Sequence, residues 1–146
     1  MRVEEITVTN PLYELAMELR YTLFFKDFNL SKSVTADELE PISFHIVITE
    51  GKELLAYGRL SPLESNIFRI SQIVVPQEHR HKGYASTLLG KLIELAISKG
   101  GEVLQLNSQL SVKELYLRLG FRVVSDVYKV KLTGIEHVKM EYHVHT

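Results

Sequence analysis

The stretch from Ile67 to Leu106 constrains the fold of this chain more than any other. Ile67 to Val75 reads as a long apolar strand ended by Pro76, with Ser61-Pro62 to Asn66 as the loop before it. Tyr84 to Lys99 reads as a helix that buries Ala85, Leu88, Leu89, Leu92 and Ala96 and stops at Gly100-Gly101. Glu102 to Leu106 is a strand again. Strand, helix and strand in that order join by a right-handed crossover, so these two strands are expected to pair parallel in one sheet.

The flanking segments add antiparallel partners. Phe44 to Thr49 and Leu54 to Leu60 are strands joined by Glu50-Gly51-Lys52-Glu53, which reads as a hairpin turn. The second of them is expected beside Ile67 to Val75, antiparallel. Near the start, Asn10 suits a helix cap, Pro11 suits a first turn, and Leu12, Leu15, Ala16, Leu19 and Leu23 repeat at helical spacing. Thr35-Ala36-Asp37-Glu38 fits a capping box opening a short second helix, and Ser111-Val112-Lys113-Glu114 fits another. The latter helix carries Val112, Leu115, Tyr116 and Leu119 on its apolar stripe and ends at Gly120. Phe121 to Val124 and Val138 to Val144 are the last strands, the latter alternating Val138, Met140, Tyr142 and Val144 against Lys139, Glu141 and His143. The expectation is a single α+β domain over residues 1–146: a mixed, mostly antiparallel sheet with one central parallel pair, flanked by helices.

Composition removes several function classes. A formal charge of −1 gives no general pull toward nucleic acid or an anionic membrane, so an anion must be captured locally. The absence of cysteine excludes a disulfide framework, a thiolate zinc site and a cysteine nucleophile. The start, Met1-Arg2-Val3-Glu4-Glu5-Ile6, is unlike a signal peptide, and no apolar run approaches the roughly 20 residues of a membrane span. A cytoplasmic protein is expected.

The loop between strand and helix, Gln77-Glu78-His79-Arg80-His81-Lys82-Gly83, is where an anion can be held. A helix N-terminus presents unpaired N–H groups and partial positive charge. Gly83 lets backbone approach a ligand, small Ala85 leaves the first turn uncrowded, and Arg80 and Lys82 add charge. This is a pyrophosphate cradle without Walker spacing and without a dinucleotide fingerprint. A solvated basic loop capping a surface helix is the alternative from the residues alone.

Arg80-His81-Lys82-Gly83-Tyr84-Ala85 resembles the [RQ]-x-x-G-x-[GA] motif of the GNAT superfamily of N-acetyltransferases, after a strand and opening a helix. Tyr116-Leu117-Arg118-Leu119-Gly120-Phe121 resembles its Y-x-x-x-G-F motif. Leu106-Asn107-Ser108-Gln109 and Gly134-Ile135-Glu136-His137-Val138-Lys139-Met140 look like the small ElaA-type bacterial branch. The resemblance implies acetyl-CoA as acyl-donor substrate and a primary amine, on a small molecule or a protein, as acceptor. Its phosphates would lie on Arg80, His81, Lys82, Gly83, Tyr84, Ala85 and Ser86, and its pantetheine along the backbone of Ile73, Val74 and Val75. There a bulge in the family's strand aims an N–H at the thioester carbonyl. Those three residues are also ordinary core strand residues, and both descriptions can hold at once. Asn107 and Gln109 would bond the pantetheine amides, with turn capping before Ser111 as the alternative for Gln109. Tyr116 would be the general acid for the leaving thiolate, although its place on an apolar stripe also suits a core residue.

The general base is missing from the pattern. A lysine-like amine with a pKa near 10.4 is neutral in about one part in a few thousand at pH 7, a handicap of roughly 4–5 kcal/mol. Relatives of this branch carry a strand glutamate before the cofactor loop, where this chain has Arg69-Ile70-Ser71-Gln72-Ile73. His45 is the alternative by residue type, although it better suits a satisfied strand histidine. His79 and His81 flank Arg80 and suit either phosphate or solvent. His143 and His145 stand at i, i+2 but lack a third ligand, so no metal site is expected. Asp37, Glu38 and Glu40 suit either a cationic acceptor or an exposed helix. A non-catalytic acyl-CoA-binding sensor or interaction domain is the second reading, nucleic acid and membrane are not expected as partners, and homodimerisation through the late strands stays open.

Overall fold

The computed structural model describes residues 1–144. Eight strands form one sheet in the order β1-β2-β3-β4-β5-β8-β6, with β7 also paired to β8. They are β1 (Arg2–Ile6), β2 (Phe44–Glu50), β3 (Glu53–Pro62), β4 (Ile67–Val74), β5 (Val103–Gln109), β6 (Arg122–Val123), β7 (Tyr128–Lys129) and β8 (Glu136–His143). The helices are α1 (Pro11–Phe24), α2 (Tyr84–Ser98) and α3 (Lys113–Arg118). As expected from the crossover, β4 and β5 run parallel, and β3 lies antiparallel to β4. No helix among the described residues is long and apolar enough to cross a membrane.

The two faces of the sheet are filled differently. Leu88, Leu89, Leu92 and Ala96 of α2 pack with Ile46, Ile48, Leu60, Ile70, Leu104 and Met140 into the main apolar core, with Tyr116 and Phe121 beside them. The opposite face lies under α1, where Ala16 packs on Ile6, Val47, Tyr57 and Val74. Asn10 caps α1 as expected, its Oδ1 accepting from the Leu12 N–H at 2.9 Å, with Pro11 in the first turn.

Four expectations need correction. β1 exists and pairs with β2 along its whole length, although Arg2-Val3-Glu4-Glu5-Ile6 carries too few apolar residues to announce a strand. No α-helix opens at Thr35-Ala36-Asp37-Glu38. Residues Lys32–Thr35 and Glu40–Ile42 form single 3₁₀ turns, and the Asp37 and Glu40 carboxylates turn inward to arginines instead of serving a helix end. α3 begins at Lys113 without a side-chain cap, because Leu110–Val112 turns as 3₁₀ first. The strand at Phe121 to Val124 shortens to Arg122–Val123, and the arm beyond it returns as β7. Of the paired histidines, His143 bonds Glu141 at 3.0 Å, while His145 lies outside the described residues.

Register shifts once between β3 and β4. Tyr57 faces Val74 but Arg59 faces Ser71, so Gly58 alone stands opposite both Gln72 and Ile73. This is a β-bulge with one extra residue in β4. A Cβ on Gly58 would sit 2.7 Å from Ile73 Cδ1, 2.8 Å from Leu92 Cδ1 and 3.0 Å from Leu88 Cδ2. The missing side chain lets Ile73 lie down over β3 beneath α2. Gly58→Ala should therefore cost about 1–3 kcal/mol through overpacking, read as a melting temperature several degrees lower.

Candidate active site

The parallel pair is short. β4 and β5 are in register only at Ile67↔Val103, Phe68↔Leu104 and Arg69↔Gln105. Beyond that point β5 stays with β8 as far as Gln109↔His137, while β4 stays with β3 as far as Val74. Two parallel strands held by different neighbours part, leaving the backbone of 70–75 facing that of 106–109 across an opening. Asn107 is exposed on one wall and Gln109 is half-buried. Both lie within β5 rather than in the turn after it, and Gln109 makes no side-chain cap to the following turn.

At the end of β4 the chain makes a 3₁₀ turn at Gln77–His79 and then enters α2. Arg80 Nε donates to the Val75 carbonyl at 3.0 Å, which folds the loop back on the strand end. His81 and Gly83 both adopt left-handed backbone, with φ of 65° and 83°. Alternating left-handed residues turn successive N–H groups toward one side, the arrangement of an anion nest. Gly83 caps α2 with no side chain, and a Cβ there would meet nothing within 4 Å. Arg80, His81, Lys82, Gly83 and Ser86 are exposed; Tyr84 and Ala85 are half-buried. The loop is thus an open concavity fringed by basic side chains, and the N–H groups of the first turn of α2 have no intrahelical acceptor. His79 is drawn away from it, its Nε2 lying 2.9 Å from Glu53 Oε1.

Tyr116 is buried, 8% exposed, in the core cluster that also holds Leu106 of the opening's wall. The Phe121 N–H donates to the Tyr116 carbonyl at 3.0 Å, and the two rings meet edge to face at 6.0 Å. The helix stop at Gly120 therefore folds Phe121 back over Tyr116. Burial raises the Tyr116 phenol to about 12, so it is protonated at any working pH.

The α1 face of the opening holds what the sequence did not announce. Arg20, fully buried in α1, donates to both oxygens of Glu40 at 2.8 and 2.9 Å, to the Thr35 carbonyl at 3.1 Å and to the Tyr57 hydroxyl at 3.2 Å. Arg59 of β3, 1% exposed, donates to Glu40 Oε1 at 2.7 Å and to both Asp37 oxygens at 2.9 Å. The Tyr13 hydroxyl donates to Glu40 Oε2 at 2.7 Å. Two cations and two anions thus neutralise one another, with Arg20, Arg59 and Glu40 buried and Asp37 at the solvent edge. Burial alone would raise the Glu40 carboxyl, but hydrogen bonds from Arg20, Tyr13 and Arg59 overcome it and hold Glu40 down to about 2. Glu40 was expected either to attract a cationic acceptor or to lie on an exposed helix; it lies at the centre of this cluster instead.

His45, the histidine singled out as a base by type, is 2% exposed on β2 with β3 between it and β4. Its Nδ1 meets the Tyr57 hydroxyl at 2.6 Å, and burial holds its pKa below the usual imidazole range. It is a core residue of the cluster and does not line the opening. Ser71 and Gln72, where a strand glutamate was sought, both point to the α1 face. Ser71 accepts from Arg59 Nε at 3.0 Å and Gln72 from Arg20 Nε at 3.3 Å.

With this geometry in place, comparison with known proteins is decisive. A profile of the acetyltransferase (GNAT) domain matches residues 16–144. The chain belongs to the GNAT acetyltransferase family. It is 29% identical over 125 residues to the uncharacterized N-acetyltransferase YjcF of Bacillus subtilis, covering 86% of this chain and 88% of that one. It is 31% identical over 107 residues to a UPF0039 protein of Schizosaccharomyces pombe, covering 71% and 70%. Among solved structures, Escherichia coli ElaA superposes with a TM-score of 0.82 at 21% identity over 98% of this chain and all of that one. An aminoglycoside 6'-N-acetyltransferase complexed with coenzyme A superposes with a TM-score of 0.79 at 15% identity, covering 98% and 97%. Family membership makes acyl transfer the activity class of this chain.

The Glu40 carboxyl titrates in the fold near 2 against an ordinary 4.5, so its stabilising share is complete above pH 4.5 and is lost as pH falls through about 2. That share is on the order of 3 kcal/mol. Glu40→Gln should cost about 3–5 kcal/mol at pH 7, because Arg20 and Arg59 stay buried without their anion. It should also flatten the fall in urea-unfolding free energy between pH 5 and 2. An unchanged acid limb in the variant would show that other carboxylates govern acid unfolding.

Proposed function

We propose that this chain transfers the acetyl group of acetyl-CoA to a primary amine by direct attack of the amine on the thioester. The parting of β4 and β5, at whose end lies the nest leading into α2, is the observation that carries this reading. A pantetheine arm is a thin chain with two amides. It fits between two strands that present unpaired backbone groups, while its pyrophosphate would take the N–H groups from His81 to Ser86 and the charges of Arg80 and Lys82. Ile73, Val74 and Val75 would contribute backbone to the arm from one wall, Asn107 and Gln109 side-chain amides from the other. The bulge at Gln72 would turn an N–H toward the thioester carbonyl, where negative charge develops.

Tyr116 then meets the leaving thiolate. A thiol titrates near 8.5, well below a phenol held at about 12, so complete proton transfer from Tyr116 is uphill. Its contribution is a hydrogen bond that stabilises the thiolate as it forms, with the proton following later. Tyr116→Phe should lower turnover about tenfold to a hundredfold while leaving the dissociation constant for acetyl-CoA within about twofold.

None of the candidate groups among the described residues offers the amine a base in the neutral range. Glu40 is held near 2, His45 is depressed and lies off the opening, and Ser71 and Gln72 do not titrate. The acceptor must shed its proton to water. At saturating acetyl-CoA, kcat/KM for the amine should rise by about one decade per pH unit from pH 6 until the acceptor's own pKa. A plateau reached between pH 6 and 7 would instead reveal a protein base.

The shortage of a base also supports the second reading, an acyl-CoA-binding domain without catalysis. Thiol release from acetyl-CoA in the presence of amines separates the two. Both rest on the cofactor site, which calorimetric titration with acetyl-CoA tests directly. Micromolar binding is expected, and Gly83→Glu should abolish it by placing a strained side chain and a negative charge in the nest. A parent protein that does not bind would overturn both readings.

A further inference from the structure

Gln72 is a non-glycine residue with φ of 60°, in the bulge position that glycine usually occupies. Strand backbone does not rest in that region unaided, so something must hold it. The only side-chain hydrogen bond recorded for Gln72 among the described residues comes from Arg20 Nε, at 3.3 Å. Arg20 cannot follow a moving Gln72. Its other nitrogens are spent on Glu40, the Thr35 carbonyl and the Tyr57 hydroxyl, and it is fully buried. The neighbour Ser71 is held in the same way by Arg59, which shares Glu40 Oε1 with Arg20. One buried carboxylate thus fixes two arginines, and each arginine fixes one of two successive β4 residues.

Side-chain parity shows what this achieves. Phe68 and Ile70 face α2, and Ser71 faces α1. In an unbroken strand Gln72 would return to the α2 side. It is instead drawn to the α1 side beside Ser71, which restores Ile73 to the α2 core and Val74 to the α1 core. The bulge thus coincides with one amide side chain drawn out of alternation.

We propose that Arg20, anchored by Glu40, is a positioning residue that latches Gln72 in its left-handed turn and thereby sets the backbone amides meant for the thioester. The inference rests on the acetyl-transfer reading for its consequence, but the latch itself is a property of the free protein. It predicts that a residue unable to accept from Arg20 loses the turn, whereas a residue needing no latch keeps it.

Gln72→Met and Gln72→Gly separate these cases, because both leave the Arg20–Glu40–Arg59 cluster whole. Methionine keeps the length of glutamine, is a poor acceptor and disfavours left-handed backbone; glycine adopts it freely. The first measurement is amide NMR on ligand-free protein, following the Ile73 N–H shift and its hydrogen exchange. Gln72→Met should move the shift and speed exchange at least tenfold, and Gln72→Gly should stay closer to the parent in both. The second is thiol release from acetyl-CoA with a panel of primary amines, beside calorimetric affinity for coenzyme A. Turnover should fall about tenfold in Gln72→Met with affinity for coenzyme A unchanged within twofold, and most of that loss should be recovered in Gln72→Gly. A role in stability alone would instead move turnover only in step with melting temperature. A parent-like Ile73 amide in Gln72→Met, or equal disturbance in both variants, would overturn the latch. A parent that does not bind acetyl-CoA would overturn the acetyl-transfer reading and leave the amide comparison to judge the latch.

Discussion

The carboxylate of Glu40 organises one whole side of this molecule. It receives two bonds from Arg20, one from Arg59 and one from Tyr13. A lone charge at such depth would cost many kcal/mol. The cluster survives because it is neutral, with Asp37 balancing the second arginine, and because nearly every donor has a partner. What it gains is attachment. Residues 25–43 contain only short 3₁₀ turns among the described elements and bury few apolar side chains. Thr35, Asp37 and Glu40 pin that irregular segment to α1 and β3 through charge and hydrogen bonds, where a helix would have used an apolar stripe.

The opening in the sheet follows from a competition between strands. β4 has a firm antiparallel partner in β3 over most of its length, and β5 has one in β8 through seven paired positions. The parallel pairing between them is the weaker commitment and ends after three. Crossover by α2 sets the distance at which the two strands part and puts the helix N-terminus at the same end as the parting. On the acetyl-transfer reading, a polar arm and its phosphates would find one continuous track there, from free strand edges to a nest of N–H groups.

Periodicity made the crossover unit legible. α2 has one apolar stripe, and its buried residues are Leu88, Leu89, Leu92 and Ala96, as its spacing implies. Arg20 was illegible for the same reason in reverse. Leu12, Leu15, Ala16, Leu19 and Leu23 draw a stripe that leaves Arg20 at its edge; Ala16 is buried as that stripe implies, but the other buried residue of α1 is Arg20, one turn on, while Leu15 is half exposed. A better signal was available in Leu54-Leu55-Ala56-Tyr57-Gly58-Arg59-Leu60: an arginine inside a strand apolar on both faces must meet a buried anion. The acids at 37 and 40 were the anions at hand. Helix-cap patterns misled at Thr35, where the chain makes only 3₁₀ turns and its Asp37 and Glu40 carboxylates bond arginines, and at Ser111, where Leu110–Val112 turns as 3₁₀ before α3 begins. β1 and β7 carried too few apolar residues to be read, since edge pairing is decided by the neighbour as much as by the strand.

The same cluster explains why the site has no carboxylate base of its own. A glutamate on β4 beside Ser71 or Gln72 would face Arg20 and Arg59, whose bonds would pull its pKa down as they pull Glu40 to about 2. Such a carboxylate would be a poor acceptor for an ammonium proton. Neutral Ser71 and Gln72 are compatible with the arginines and let them act on the backbone instead. On the acetyl-transfer reading, the chemistry left to this chain would be electrostatic and geometric: amides held still before the thioester, and a Tyr116 phenol kept protonated by burial near the leaving thiolate. On that reading proton removal would fall to solvent, and an acceptor whose amine is already partly neutral at working pH would suit the site better than a lysine-like one, by up to the roughly 4–5 kcal/mol that deprotonating the latter costs.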